Sequence, residues 1–178
     1  MRVIYALVWL GVVATASTSH AEGASLDASG HLGLGAPLGF AGAALGFSVE
    51  DFSLDAGVGA GWAGRQVAVM PRLRVGSRTG LKAAFSAGVS AGEFRVGPVF
   101  CFDEPPCGEK DIFTVWGNGD GGIEFRGPSG LLLRLYAGLA VVLNRRHFEA
   151  ERGASHPNMA DGLWLIYAGG SVGFAFAL

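Results

Sequence analysis

Residues 52–62 read Phe52-Ser53-Leu54-Asp55-Ala56-Gly57-Val58-Gly59-Ala60-Gly61-Trp62. The even positions hold Phe, Leu, Ala, Val, Ala and Trp. The odd positions hold Ser, Asp and three glycines. Side chains on an extended strand alternate between two faces, so this stretch has one apolar face and one small or polar face. The same period of two returns at Leu81–Gly92, where Leu81, Ala83, Phe85, Ala87, Val89 and Ala91 oppose Lys82, Ala84, Ser86, Gly88, Ser90 and Gly92. It returns again at the end, where Trp164, Ile166, Ala168, Val172, Phe174, Phe176 and Leu178 share one parity.

Extended along the chain, this reading predicts eight strands, at about 26–36, 41–49, 52–62, 66–76, 81–92, 113–126, 131–144 and 163–178. Most reach the ~9–11 residues that a tilted transmembrane strand needs. No useful helix-period segment is expected beyond the N-terminal leader. Tight turns are expected around Glu50-Asp51, at Ser77-Arg78-Thr79-Gly80 and at Gly127-Pro128-Ser129-Gly130. Two of the other connections are long, at about 93–112 and 145–162. An even strand number with short turns at one end and long loops at the other predicts an all-β, eight-stranded antiparallel up-and-down transmembrane β-barrel.

Composition agrees. Of 178 residues, 50% are hydrophobic and 16% charged, the mean hydropathy is +0.39, and 30 are glycine. The length fits one domain, and the chain is too apolar for disorder. A net charge of −2 with no basic stripe gives no reason to expect a nucleic-acid partner. Arg2, the apolar run Val3–Ala16 and the small residues flanking His20 in Ser19-His20-Ala21 read as a secretory signal peptide over residues 1–21, with the barrel over 22–178. Export makes a disulfide between Cys101 and Cys107 the preferred reading over a metal site, because no histidine lies nearby and the spacing is not a zinc pattern. So short a loop would stabilise by ~2 kcal/mol.

The orientation of the apolar face separates a membrane barrel from a soluble lipocalin-like one. No Lys, Arg, Asp or Glu occupies the apolar parity of any expected strand. The other parity is rich in glycine and alanine, which suits a narrow lumen better than a solvated surface. Aromatics fall near strand ends on the apolar parity, with Trp62, Phe113 and Trp164 toward the loops and Phe52, Phe125 and Phe176 toward the turns. Gly117, Gly119 and Gly121 are an exception on that apolar parity.

The inward parity then carries Asp27, Glu50, Asp55, Asp120 and Glu124 with Arg72, Arg74, Lys82, Arg126 and Arg134. Counting around the turns places Glu124 near Arg134, and Asp55 near Arg72 or Arg74. Buried charges must be paired, so these residues are expected to form a plug with Trp116, Asn118, Tyr136 and Tyr167 and to leave no wide pore. His31 is read as a hydrogen-bonded lumen residue.

The exported chain, its eight alternating strands, its three tight turns and its ending Phe174-Ala175-Phe176-Ala177-Leu178 resemble the small eight-stranded outer-membrane barrels of the OmpA/OmpX type. The resemblance implies a bacterial outer-membrane location, contact with outer-membrane lipid and lipopolysaccharide, and recognition of the last strand by the barrel assembly machinery. Leu178 stands where those proteins carry a terminal aromatic. A structural or surface-interaction role is expected, with the loops at 93–112 and 145–162 as surfaces for a protein partner, and with no cofactor and no enzymatic activity. Gly117-Asn118-Gly119-Asp120-Gly121-Gly122 matches a dinucleotide-loop pattern but opens no helix, so that reading fails. The alternatives are a barrel-embedded lipid A-modifying enzyme using His147, Glu149, Glu151, Ser155 and His156, and a soluble secreted lipocalin-like ligand-binding barrel. Arg145, Arg146 and Arg152 are candidate contacts for lipopolysaccharide phosphates.

Overall fold

The computed structural model describes residues 24–35, 37–61, 64–76, 80–96, 110–152 and 164–178. The expected signal peptide, Trp62, and the Cys101–Cys107 segment lie outside the described residues. Eight strands form: β1 (Ala24–Leu34), β2 (Ala41–Val49), β3 (Phe52–Ala60), β4 (Arg65–Gly76), β5 (Gly80–Val96), β6 (Lys110–Arg126), β7 (Leu131–Val142) and β8 (Trp164–Ala177). Each pairs antiparallel with the next, and β8 closes on β1 with Ala177 opposite Ser25. Closure gives every strand two neighbours, which removes the free edges that invite aggregation.

The period of two becomes inside and outside. On β4, exposed Val67, Val69, Pro71, Leu73 and Val75 alternate with buried Gln66, Ala68, Met70, Arg72 and Arg74. The outer face presents large apolar side chains on all eight strands, while Asp27, Asp55, Arg72, Arg74, Lys82, Glu124 and Arg134 are buried. This orientation is the reverse of a soluble lipocalin-like barrel. Phe52 and Phe125 are exposed toward the turn end, and Phe113 and Trp164 toward the loop end. The three outward glycines of β6 have a packing explanation in part. The Phe85 ring lies 3.5 Å from where a Cβ of Gly121 would stand, and Leu143 lies 3.2 Å from that of Gly117. Neighbouring side chains thus cover the bare backbone at both positions; Gly119 has nothing within 4 Å of its would-be Cβ.

Several boundaries differ from expectation; β1 begins and ends two residues earlier than expected, and larger differences lie toward the loops. β5 and β6 run past residues 92 and 113 and pair out to Val96↔Lys110. Charged Glu93 and Asp111 end the apolar pattern there, but backbone pairing does not need apolar side chains. β7 stops at Val142, and the Asn144 side chain takes over its bonding to β6. Its Oδ1 accepts from the Val115 N–H at 2.9 Å and its Nδ2 donates to the Phe113 carbonyl at 3.0 Å. A helix, α1 (Arg145–Arg152), then forms where none was expected. Its eight residues carry one large apolar side chain, Phe148, too few to make a helical period legible.

The turns at Glu50-Asp51 and at 127–130 are tight. Gly130, at φ 87°, donates to the Gly127 carbonyl at 3.0 Å and accepts from the Ala175 N–H at 2.8 Å. At the other end, the β1–β2 connection folds inward. The Phe40 N–H donates to the Ala60 carbonyl at 2.8 Å, and Leu38 drops among Ala44, Ala68 and Met70. Gly59 permits this, because a Cβ there would stand 2.9 Å from backbone atoms of Leu38 and Ala41. Pro71 lies within a paired strand without an N–H to give. The β4–β5 ladder is interrupted there, between Val69↔Val89 and Arg72↔Ser86.

Candidate functional site: the lumen charge network and its apolar cap

Glu124, on β6, is fully buried and is the centre of the turn-side network. Its Oε2 accepts from Arg72 Nη1 at 3.0 Å, and its Oε1 from Arg126 Nε at 3.0 Å and Arg74 Nη1 at 3.3 Å. Arg72 also pairs with Asp55. Arg126 Nη2 donates to Asp27 at 2.7 Å, and Ser48 donates to the same oxygen at 2.6 Å. Arg74 Nη2 donates to the backbone carbonyls of Glu50 and Phe52 at 2.8 and 3.3 Å, tying the lumen to the β2–β3 turn.

A second layer lies toward the loops. Arg134 Nη2 donates to Asp120 at 2.5 Å and to Ser86 at 2.6 Å, and its guanidinium sits 4.8 Å from the Tyr136 ring centre. The Tyr167 hydroxyl donates to the other Asp120 oxygen at 3.1 Å. Asn118 donates to Ser90 at 2.9 Å. His31 is buried, within 3.0 Å of the Ser29 hydroxyl.

Toward the loops an apolar cluster follows, with buried Gln66 and Thr114 at the same end of the barrel. Trp116 was expected among the hydrogen-bonded residues, but it packs edge-on to Phe94, ring centres 5.3 Å apart, within a cluster that includes Ile112, Val142 and Phe148. Phe148, on α1, is buried in this cluster, its ring centre 6.3 Å from that of Phe94.

Two further expectations are corrected. Glu50 is exposed in its turn, at φ 51°, so its side chain lies outside the lumen. The neighbouring Asp51 meets a lumen base instead, accepting from Lys82 Nζ at 2.9 Å. Turn residues do not obey strand parity, which is why the count misassigned Glu50. Glu124 does stand opposite Arg134 in the β6–β7 register. Its oxygens, however, are taken by Arg72 and Arg74, reaching in from β4, and by Arg126 on its own strand. Arg134 turns to Asp120. In so narrow a barrel, long side chains from distant strands compete with register neighbours.

Sequence reasoning missed Ser48 and Ser86, although both sit on the inward parity. It also missed Leu38 and Phe148, which lie in connections where no period applies. Arg145 donates to Glu149 at 2.7 Å along α1, while Arg146, His147 and Glu151 are exposed. Ser155, His156 and the Arg152 side chain lie outside the described residues. Among the described residues no group of His, Cys, Asp and Glu could hold a metal ion. Several buried polar atoms have no protein partner, including Gln66 Oε1, Asn118 Oδ1 and the Nε of Arg72, Arg74 and Arg134.

No protein-family model matches this chain, and no curated protein matches it. Among solved structures, the N-terminal β-barrel domain of Pseudomonas aeruginosa OprF is similar at TM-score 0.52 and 13% identity, over 87% of this chain and 98% of that one. Neisserial surface protein A aligns at TM-score 0.44 and 12% identity, over 87% of this chain and 96% of that one. The shared fold is that of the small eight-stranded outer-membrane barrels.

Proposed function

We propose that this protein is a bacterial outer-membrane barrel, exported by a cleaved signal peptide, with a structural or surface-interaction role and a lumen plugged by paired charges. One observation carries the reading. Large apolar side chains cover the outside of a closed barrel whose inside holds an ionic network. Water on the outside would leave that apolar surface unsatisfied, whereas acyl chains would not. The interior is filled by side chains bonded to one another, which supports a plug.

The surfaces that remain for recognition are the loop-end segments. The β5–β6 hairpin extends past Gly92 and Thr114, and α1 displays Arg145, Arg146 and His147. We assign these segments to outer-membrane lipid, lipopolysaccharide and a surface protein partner, and the last strand to the barrel assembly machinery. No catalytic role is proposed. The test is mobility in SDS gels of the outer-membrane fraction with and without boiling. A closed barrel runs faster unboiled and shifts on heating. Recovery in the soluble fraction without a shift would overturn the membrane reading.

A further inference from the structure

Arg65 opens β4, one residue before the stretch whose parity marks that strand. It is exposed and shares the parity of Val67, Val69, Pro71, Leu73 and Val75, so it leaves the barrel on the outer face. Among the described side chains it is the one base at an outward strand position. Arg72, Arg74, Lys82, Arg126 and Arg134 all stand on the inward parity.

Its height follows from the register. Phe52, in the turn-end aromatic set, stands opposite Leu73, and Ala60 stands opposite Arg65. Arg65 is thus eight residues up β4 from the level of Phe52, or about 20 Å along the barrel axis at ~3.3 Å per residue and a tilt of ~40°. The apolar band of such barrels is ~25 Å tall, so Arg65 stands at its loop-side border, with the exposed pair Val58 and Val67 below it.

A guanidinium at that border meets the headgroup layer. Its stem lies on apolar surface while the charge reaches outward. Among the described residues, Arg65 has no ion pair and no side-chain hydrogen bond. The acid beside it is Glu93, exposed on β5 one step beyond the Gln66↔Gly92 pair. Glu93 lies against Gly64 instead, its Cβ 3.2 Å from where a Cβ of Gly64 would stand. A planar cation with its donors open fits a phosphate, which accepts two of them side by side. The longer connections, after β5 and after β7, put this end of the barrel at the cell surface. The outer-leaflet lipid there is lipid A, whose headgroup carries phosphates.

We propose that Arg65 is a docking site for a lipid A phosphate on the outer wall of the barrel, with the acyl chains lying over Val58 and Val67. The inference rests on the membrane reading proposed above and adds a strand residue to the loop segments assigned there.

The test titrates the full refolded protein in detergent with bis-phosphorylated lipid A, with the same lipid A stripped of its phosphates, and with phosphatidylglycerol. Native mass spectrometry reads the lipid bound per barrel. Wild type should hold phosphorylated lipid A more tightly than the stripped form. Arg65→Gln should weaken the phosphorylated form by roughly 5–10-fold and leave the stripped form unchanged. Glu93→Gln should keep or improve the wild-type affinity, because it removes a charge that repels the phosphate. The proposal is overturned if Arg65→Gln binds phosphorylated lipid A as wild type does, or loses both forms equally. It is equally overturned if Glu93→Gln weakens binding as much as Arg65→Gln, since the two would then act as an ion pair. A larger Arg65→Gln loss for phosphatidylglycerol than for lipid A would overturn lipid A as the occupant. Insertion into lipid vesicles is scored separately by the heat-dependent gel shift. A wild type that does not insert overturns the membrane reading itself; one that inserts without a phosphate preference overturns this inference alone.

Discussion

Replacing Glu124 with Ala removes the carboxylate on which three guanidinium groups converge, at 3.0 Å from Arg72, 3.0 Å from Arg126 and 3.3 Å from Arg74. Each charge-assisted hydrogen bond is worth ~1.5–3 kcal/mol where nothing replaces it. Replacement is partial here. Arg72 keeps Asp55, Arg126 keeps Asp27 at 2.7 Å, and Arg74 keeps two backbone carbonyls with Asp27 at 4.0 Å. Removing one partner of a buried ion pair commonly costs ~3–5 kcal/mol, and the retained partners place this loss near the lower end. With a urea slope of ~2 kcal/mol per molar, the unfolding midpoint in lipid vesicles should fall by roughly 1.5–2 M. The assay is urea titration of the vesicle-inserted protein, with the heat-dependent gel shift as the readout of closure. Glu124→Gln keeps shape and one acceptor oxygen but no charge, so its midpoint should lie between those of wild type and Glu124→Ala. A Glu124→Ala loss below ~1 kcal/mol would refute the reasoning, because water in the lumen would then solvate the arginines as well as the carboxylate does.

Three other outcomes are expected. Leu45, exposed at the middle of β2, should tolerate Phe, whereas Leu45→Arg should destabilise by ~2–4 kcal/mol in a bilayer; equal effects in the same urea assay would mean the outer face does not meet lipid. Gly130→Ala forces a side chain into φ 87°, with the Ala175 carbonyl oxygen 2.6 Å from the new Cβ. It should cost ~1–3 kcal/mol, and an unchanged midpoint would contradict the described turn. Asn144→Ala removes both bonds to the β6 backbone, so amide exchange at Val115 should accelerate by roughly tenfold without loss of the barrel; unchanged protection there would remove the Asn144 anchor from the account.

The legible part of the chain was the part governed by parity. A strand buried on one face must alternate, so the stretches 52–62, 81–92 and 163–178 announced the conformation and facing of β3, of most of β5 and of β8. Asp27, Asp55, Arg72, Arg74, Lys82, Asp120, Glu124, Arg126 and Arg134 could be assigned to the interior in the same way. Glu50 could not, because a turn residue at φ 51° follows no alternation. The extensions of β5 and β6 were hidden because apolar patterning reports contact with an apolar medium, whereas pairing reports backbone hydrogen bonds.

The sequence alone therefore determined the strand count, the apolar and polar faces, and a lumen rich in both signs of charge, since each follows from a local period of two. Tertiary structure decided the rest. Which arginine meets which carboxylate depends on reach across a closed cylinder, so Glu124 binds Arg72 and Arg74 from β4 and leaves its register partner Arg134 to Asp120. The burial of Leu38 and Phe148 depends on how irregular connections fold back onto the strands. Neither is written in any local pattern, because distance along the chain says little about distance across a barrel.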